Sequence, residues 1–384
     1  MEKRKKQQNK KNKILSIVFM PTFSCDCTCD YCFEINEPVT VKDDFWVKIF
    51  EAFRIYSEKA GFTKLRFYWQ GGEILTMSPE QVKKGLEECT SVFKASGIHI
   101  EHRLQSNLIA YSSDWAPIVN EYFHGHIGSS LDFPNLYRKT ASLDQTVFVE
   151  RWIEKKELAL QDGISVSVIA LPNNQTFING AESFYNFYLN KAKLKSIQIN
   201  FPFIPPNSTF SNMPDMERFA QFMEELYGIW IQSDRSLRIE PFGKLENAVF
   251  HDDNCLTCIW SYCCAFSLLA IDPLGRISQC DCWSSSFKEH SFGDIRYQSI
   301  ETILESPNRK KFLERPLKLL QNTECGNCTY WHLCYGGCPT RATTMAKNFF
   351  SKDPYCPVYK KIFSLFFKNI ENDSIMSQKE VFSV

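Results

Sequence analysis

The stretch "FMPTFSCDCTCDYCFE", residues 19–34, places four cysteines within eight positions: Cys25, Cys27, Cys29 and Cys32. Two spacings compete in it. One is C-x3-C-x2-C through Cys25, Cys29 and Cys32; the other is a run of alternate cysteines that would suit a disulfide or a zinc knuckle. The apolar run "ILSIVFM" (14–20) directly precedes the cluster. It reads as a strand, so the thiols fall at that strand's C-terminal end.

The chain has 384 residues, 44% of them hydrophobic and 14% aromatic, enough for a large buried core. Its 44 basic and 44 acidic residues cancel, but the opening "MEKRKKQQNKKNK" alone holds seven of the basic ones and one acid. Residues 1–13 therefore read as a disordered basic tail, and the remainder is mildly acidic. No secretory signal follows the tail, and no stretch is long enough to span a membrane. These features imply a cytoplasmic location, where thiols stay reduced. Sixteen cysteines there point to metal or catalysis rather than to disulfides.

Candidate strands recur at "LRFYWQ" (65–70), "HIEHRLQS" (99–106), "HIGSSLD" (126–132), "ISVSVIAL" (164–171) and "SIQINF" (196–201), with charged, helix-like segments between them. Phe45, Ile49, Phe53 and Tyr56 recur at three and four, as the core stripe of a connecting helix does. Six such alternations predict an α/β fold of parallel βα units. A Pro- and Ser-rich connection (203–215) precedes a helix to about residue 232, with Met216, Phe219, Met223, Leu226 and Trp230 on one face. After residue 250 cysteines crowd in and the rhythm stops. A second, metal-organised unit over about 250–357 follows, then a terminal helix and tail (358–384).

At parallel-strand ends, loops vary without disturbing the core, which is where reactive groups gather. Three thiolates suit an iron–sulfur cluster with one iron left open to substrate, whereas four would close it. "QGGE" (Gln70, Gly71, Gly72, Glu73), "LQSN" (104–107) and "SLDFP" (130–134) end the second, third and fourth strands. C-x3-C-x2-C with Tyr31 before its last cysteine, followed in order by these motifs, resembles the radical SAM superfamily. That resemblance implies a partial (β/α)6 TIM-like barrel over 14–232. Cys25, Cys29 and Cys32 would hold a 4Fe-4S cluster whose open iron binds S-adenosylmethionine. Gln70–Glu73, Asn107, Ser130, Asp132 and Arg151 would line the cofactor, with Glu73 accepting from its ammonium. Ile74 stands where proline is usual, Ser106 for threonine and Phe133 for glycine.

The later cysteines Cys325, Cys328, Cys334, Cys338 and Cys356 are spaced C-x2-C-x5-C-x3-C-x17-C. Locally this spacing also suits a zinc ribbon. With Cys264 and Gly275-x4-Cys280 upstream, it resembles the SPASM extension of radical SAM proteins, which carries two auxiliary 4Fe-4S clusters. The resemblance implies Cys258, Cys264, Cys280 and Cys338 for the first, and Cys325, Cys328, Cys334 and Cys356 for the second. Cys27, Cys89, Cys255, Cys263 and Cys282 are left over.

The activity so implied is oxidation of a peptide by a 5′-deoxyadenosyl radical, with electrons from a flavodoxin- or ferredoxin-like donor. One relative is the peptide maturase that cross-links or oxidises side chains of a ribosomally made precursor. With the barrel beginning near residue 14 no leader-binding domain fits, so a separate leader-binding protein would serve. The other is the anaerobic sulfatase-maturating enzyme, which turns Cys or Ser into formylglycine; Asp281, after Cys280, stands where that family keeps its catalytic base. The altered "GGEI" and "DFP" and the surplus cysteines favour the first. No Ser-His-Asp set, phosphate loop or basic aromatic stripe is found, which excludes those hydrolases and gives nucleic-acid binding no support.

Overall fold

A computed structural model of the protein describes residues 13–206, 210–250, 258–260 and 264–367. The basic tail up to residue 12, Cys255, Cys263 and the stretch beyond 367 lie outside the described residues.

The six expected strands form as β1 (Ile14–Phe19), β2 (Lys64–Trp69), β3 (His99–Gln105), β4 (His126–Ser130), β5 (Ser165–Ala170) and β6 (Ser196–Ile199). They pair in sequence order and all in parallel. β1 ends in a continuous buried run, Ile17-Val18-Phe19, whereas β2, β4 and β6 alternate buried and half-buried residues. Start signals in the connections are local. Ser78 accepts from the Gln81 N–H ahead of Pro79, Asp144 accepts from Thr146 and Val147, and Asp215 accepts from Arg218.

The helix Trp46–Ala60 buries Trp46, Ile49, Phe50 and Phe53 against β1 and β2. Phe19 meets the Trp69 ring edge-on at 4.8 Å, and Trp46 stacks on Trp69 at 5.7 Å. The helix Met216–Gln232 turns Phe219, Met223, Leu226 and Trp230 inward, as its spacing predicts, while Met216 stays half-buried. Cys89 is fully buried on the helix Pro79–Phe93.

Two features go beyond the six-strand reading. A seventh strand, β7 (Arg238–Glu240), continues the parallel order after β6; its three residues bury Ile239 and leave Arg238 exposed, too short a signal to read. On the other side, β8 (Leu268–Ile271) pairs in parallel with β1, matching Ser16 to Leu268 and Phe19 to Ile271. Strands β9 (Arg276–Ser278) and β10 (Gly293–Asp294) then add in antiparallel. The sheet therefore runs β10-β9-β8-β1-β2-β3-β4-β5-β6-β7, and the cysteine-rich segment shares it with the barrel strands. Residues 356–367 are helical and pack back on the barrel, with Phe366 at 4.8 Å from Tyr227 and Lys361 paired to Glu224 at 2.7 Å.

Candidate active site

Because β1 to β4 are parallel, the segments after them meet at one end of the sheet. The loop 22–24 leading into Cys25 lies directly on Gly71 and Gly72. Gly72 N–H donates to Thr22 and Glu73 N–H to Ser24. A Cβ on Gly72 would sit 2.2 Å from the Ser24 carbonyl oxygen, and one on Gly71 (φ +135°) 2.5 Å from that of Thr22. The two glycines thus make room for the cysteine loop's own backbone. The side chain of Asn36 folds over the loop, accepting from Cys25 N–H and donating to the Cys25 carbonyl, each at 3.0 Å. Residues 137–139 strap its far side, taking hydrogen bonds from Thr28 and Asp30.

Glu73 is 2% exposed and ties β2 to β3. Its carboxylate accepts from Ser106 Oγ (2.7 Å), Asn107 N–H (2.6 Å) and Leu75 N–H (3.0 Å). Burial, and then the nearby Asp26 charge, push its carboxyl up to about 7 against these donors. A carboxylate offers about four acceptor sites, so Glu73 keeps capacity for one further donor. Ser106 supplies the hydroxyl that threonine would, and Ile74 is fully buried at the start of the turn Glu73 caps.

The thiols gather as expected, with Cys27 among them. Sγ atoms of Cys25 and Cys27 and a carboxylate oxygen of Asp26 lie within 4.8 Å of one another. Cys27 shares its proton with Cys25 and Cys29, and this contact with Arg138 draws the Cys29 thiol down to about 7. Asn107 Nδ2 donates to Asp26 (2.6 Å) and to Cys27 Sγ (3.0 Å). A cleft of about 390 Å³ opens beside Asp26, lined also by Ile109, Thr140, Leu143, Arg151 and Lys155. Arg151 itself pairs with Glu154 at 3.0 Å.

Asp132 faces inward. It is 2% exposed and accepts from Tyr31 Oη, from Arg138 Nε (2.9 Å) and from Leu171 N–H (3.0 Å). The Arg138 guanidinium lies 5.3 Å over the Tyr31 ring. Asp132 therefore anchors the cysteine loop through Tyr31, and Ser130 takes a hydrogen bond from Gln105 at 3.2 Å. Phe133 stacks on Phe187 at 4.6 Å.

Gln70 and Asp281, 211 residues apart, meet at 2.6 Å where the barrel joins the later cysteines. Burial raises the Asp281 carboxyl, and the Gln70 amide opposes it. Glu34 lies beside them, pushed up to about 8 by burial and by Asp281, with its Oε2 buried and without a partner. Cys280 and Cys282 Sγ and an Asp281 oxygen also fall within 4.8 Å of one another.

The later thiols form the two expected groups. Loss of water around its sulfur, and then the charges of Cys338 and Cys280, push Cys258 up to about 12 although the residue is exposed, and Cys264 is raised by burial and by Cys258, Cys280 and Cys338. Cys334, pushed up to about 12 by burial, has Cys356, Cys325 and Cys328 around it, and those four line one cavity with Trp331 and Lys352. Clustered thiols lose their protons when a metal binds them as thiolates, and the grouping of four thiols at each place fits iron–sulfur clusters. Cys282, beside Cys280, joins the first as a fifth thiol. Glu34, Asp26 and Arg138 carry no motif; only the acidic or basic character beside the cysteine motif could have marked them.

Residues 263–329 match the SPASM iron–sulfur cluster-binding domain. A cysteine-type anaerobic sulfatase-maturating enzyme of Clostridium perfringens is 22% identical over 93% of this chain and 98% of its own length. The structure of anSMEcpe with bound AdoMet superposes with a TM-score of 0.77 at 20% identity, covering 94% of this chain and 98% of that one. SuiB of Streptococcus suis, bound to precursor peptide SuiA, gives a TM-score of 0.60 at 15% identity, covering 92% and 78%. This chain shares the fold of these structures, carries a segment that matches the SPASM iron–sulfur cluster-binding domain, and is similar in sequence over most of its length to the anaerobic sulfatase-maturating enzymes.

Proposed function

We propose that this chain is a radical SAM enzyme that oxidises side chains of a ribosomally made precursor peptide, in the cytoplasm, with electrons from a flavodoxin- or ferredoxin-like donor. The observation that carries it is the meeting of Cys25, Cys29, Glu73 and Asn107 at one sheet end. Cys25, Cys29 and Cys32 would hold a four-iron cluster there, which would supply the electron for reductive cleavage of S-adenosylmethionine. Glu73 presents its remaining acceptor site to the methionine ammonium, and Asn107 holds Asp26 and Cys27 beside the cluster loop. Tyr31 and Asp132 fix that loop and keep water from its inner side. The two later thiol groups would hold clusters closed by protein sulfur, which would accept the electron the peptide gives up. A separate leader-binding protein would deliver the precursor, and no nucleic acid or membrane takes part; among the described residues no helix is long and apolar enough to cross a membrane.

A second reading, formylglycine formation, is favoured by the Gln70–Asp281 contact, which holds a carboxylate at the barrel junction ready to take a thiol or hydroxyl proton. One experiment separates the two. The reconstituted enzyme, reductant and S-adenosylmethionine are incubated without oxygen with a Cys/Ser-x-Pro-x-Arg peptide, or with short precursors encoded nearby. Conversion of the first to an aldehyde selects the second reading; a mass loss of two hydrogens in a precursor selects the first. Intact peptides and no 5′-deoxyadenosine would sink both.

A further inference from the structure

Arg315, on the helix Pro307–Asn322, is 3% exposed, yet among the described residues it forms no ion pair with a carboxylate. Its guanidinium is spent on main-chain carbonyls. Nε donates to Phe349 (2.9 Å), Nη1 to Gly337 (2.8 Å), and Nη2 to Gly336 (3.0 Å) and Ser351 (2.8 Å). The neighbouring buried arginine, Arg341, is paired with Asp353 at 2.8 Å. Asp353 is then filled, since it also accepts from Cys338 N–H, Tyr355 N–H and Tyr359 Oη.

A guanidinium stays charged, and a buried charge needs an opposite one. Carbonyl dipoles solvate Arg315 without neutralising it. Besides burial, the charges acting on it are those of Cys338, the already paired Asp353, Cys325 and Cys264. These thiols come from both groups. The turn that Arg315 grips also joins the groups, with Cys334 at one end and Cys338 at the other. It must be glycine: Gly336 (φ +83°) and Gly337 (φ +69°) have left-handed backbones, and a Cβ on them would meet Leu319 at 2.2 Å and Asp353 at 2.4 Å.

We propose that Arg315 is the shared counter-charge of the two auxiliary iron–sulfur clusters, clamping the turn between them and holding both at a higher reduction potential than they would otherwise have. Reduction adds negative charge to a site already ringed by thiolates. A fixed cation in a low-dielectric interior favours that reduced state. The inference rests on the reading that both thiol groups hold clusters.

The test uses the full-length chain, reconstituted without oxygen, as wild type, Arg315→Gln and Arg315→Lys. Iron and sulfide are counted per chain, and midpoint potentials are read by electron paramagnetic resonance during redox titration. Gln removes the charge and Lys keeps it. We expect both auxiliary potentials of Arg315→Gln to move to more negative values, with Arg315→Lys near wild type. The cluster at Cys25, Cys29 and Cys32 is the internal control and should not move. A loaded Arg315→Gln with wild-type potentials overturns the proposal. If Arg315→Gln does not load, Arg315→Lys decides: loading with wild-type potentials supports a role for the charge, and failure to load assigns Arg315 to shape alone. Wild-type iron sufficient for only one four-iron cluster would refute the cluster reading itself, whatever the variants do.

Discussion

Gln70 at the end of β2 donates to Asp281, just after β9, at 2.6 Å. A barrel motif residue thereby positions the carboxylate beside a cysteine of the SPASM domain. If Asp281 takes a substrate proton, Asp281→Asn should keep its iron and still form 5′-deoxyadenosine, while peptide product falls by about 10²–10⁴-fold. Gln70→Ala should give a smaller loss of the same kind. Quantifying 5′-deoxyadenosine and product in the same reactions checks both.

Glu73 should matter more than Ser106 to cofactor binding. Glu73→Gln removes the negative acceptor and should abolish measurable S-adenosylmethionine binding and 5′-deoxyadenosine formation. Ser106→Ala removes one of three donors to Glu73 and should weaken binding by up to about tenfold, the usual worth of one hydrogen bond. Isothermal titration calorimetry on the reconstituted variants measures the difference.

Gly72→Ala tests the packing of the cysteine loop. The added methyl would overlap the Ser24 carbonyl, so the loop must shift, at a cost of about 1–3 kcal/mol. The variant should fold, with a lower melting temperature and iron deficient by one cluster. Wild-type iron content would show that the loop does not need this close approach.

Acid sensitivity should come from two barrel residues in separate windows. Glu101 is held at about 2 despite burial by Lys64 and Arg66, both hydrogen-bonded to it, with Arg103 also paired. A depressed folded value means stability present above about 4.5 and lost as pH falls toward 2. Glu101→Gln should therefore cost about 1–3 kcal/mol at pH 7, a deficit that closes by pH 2. His102, lowered to about 4 first by burial and then by His124, is neutral in the fold and accepts from Trp69 at 3.0 Å. Its contribution, present above about 6.5, is lost between 6.5 and 4, so Glu101→Gln should still weaken over that window. Chemical denaturation at stepped pH measures both.

The strands β1 to β6 were legible because most are rich in Ile, Val, Phe or Tyr and charged, helix-like segments separate them. The thiol groups were legible from spacing taken together with the resemblance to the radical SAM and SPASM patterns, since the spacings by themselves also suit zinc. β7 was too short to show, and β8 was hidden because "LLAI" gives no sign that its partner is β1, more than 240 residues away. The roles around the cysteines were readable only in part. Asp132 and the glycines of "QGGE" occupy the expected strand ends, yet their contacts are with Tyr31, Arg138 and the loop 22–24. Such contacts depend on which loops approach in three dimensions, as does the placing of Glu34 beside Asp281.

The most direct measurement is 5′-deoxyadenosine released from S-adenosylmethionine by the reduced, anoxically reconstituted protein, compared with Cys29→Ala. Release by wild type, and none by the variant with its later thiol groups still loaded, is the expected result. A fully loaded wild type that leaves S-adenosylmethionine intact would contradict the account.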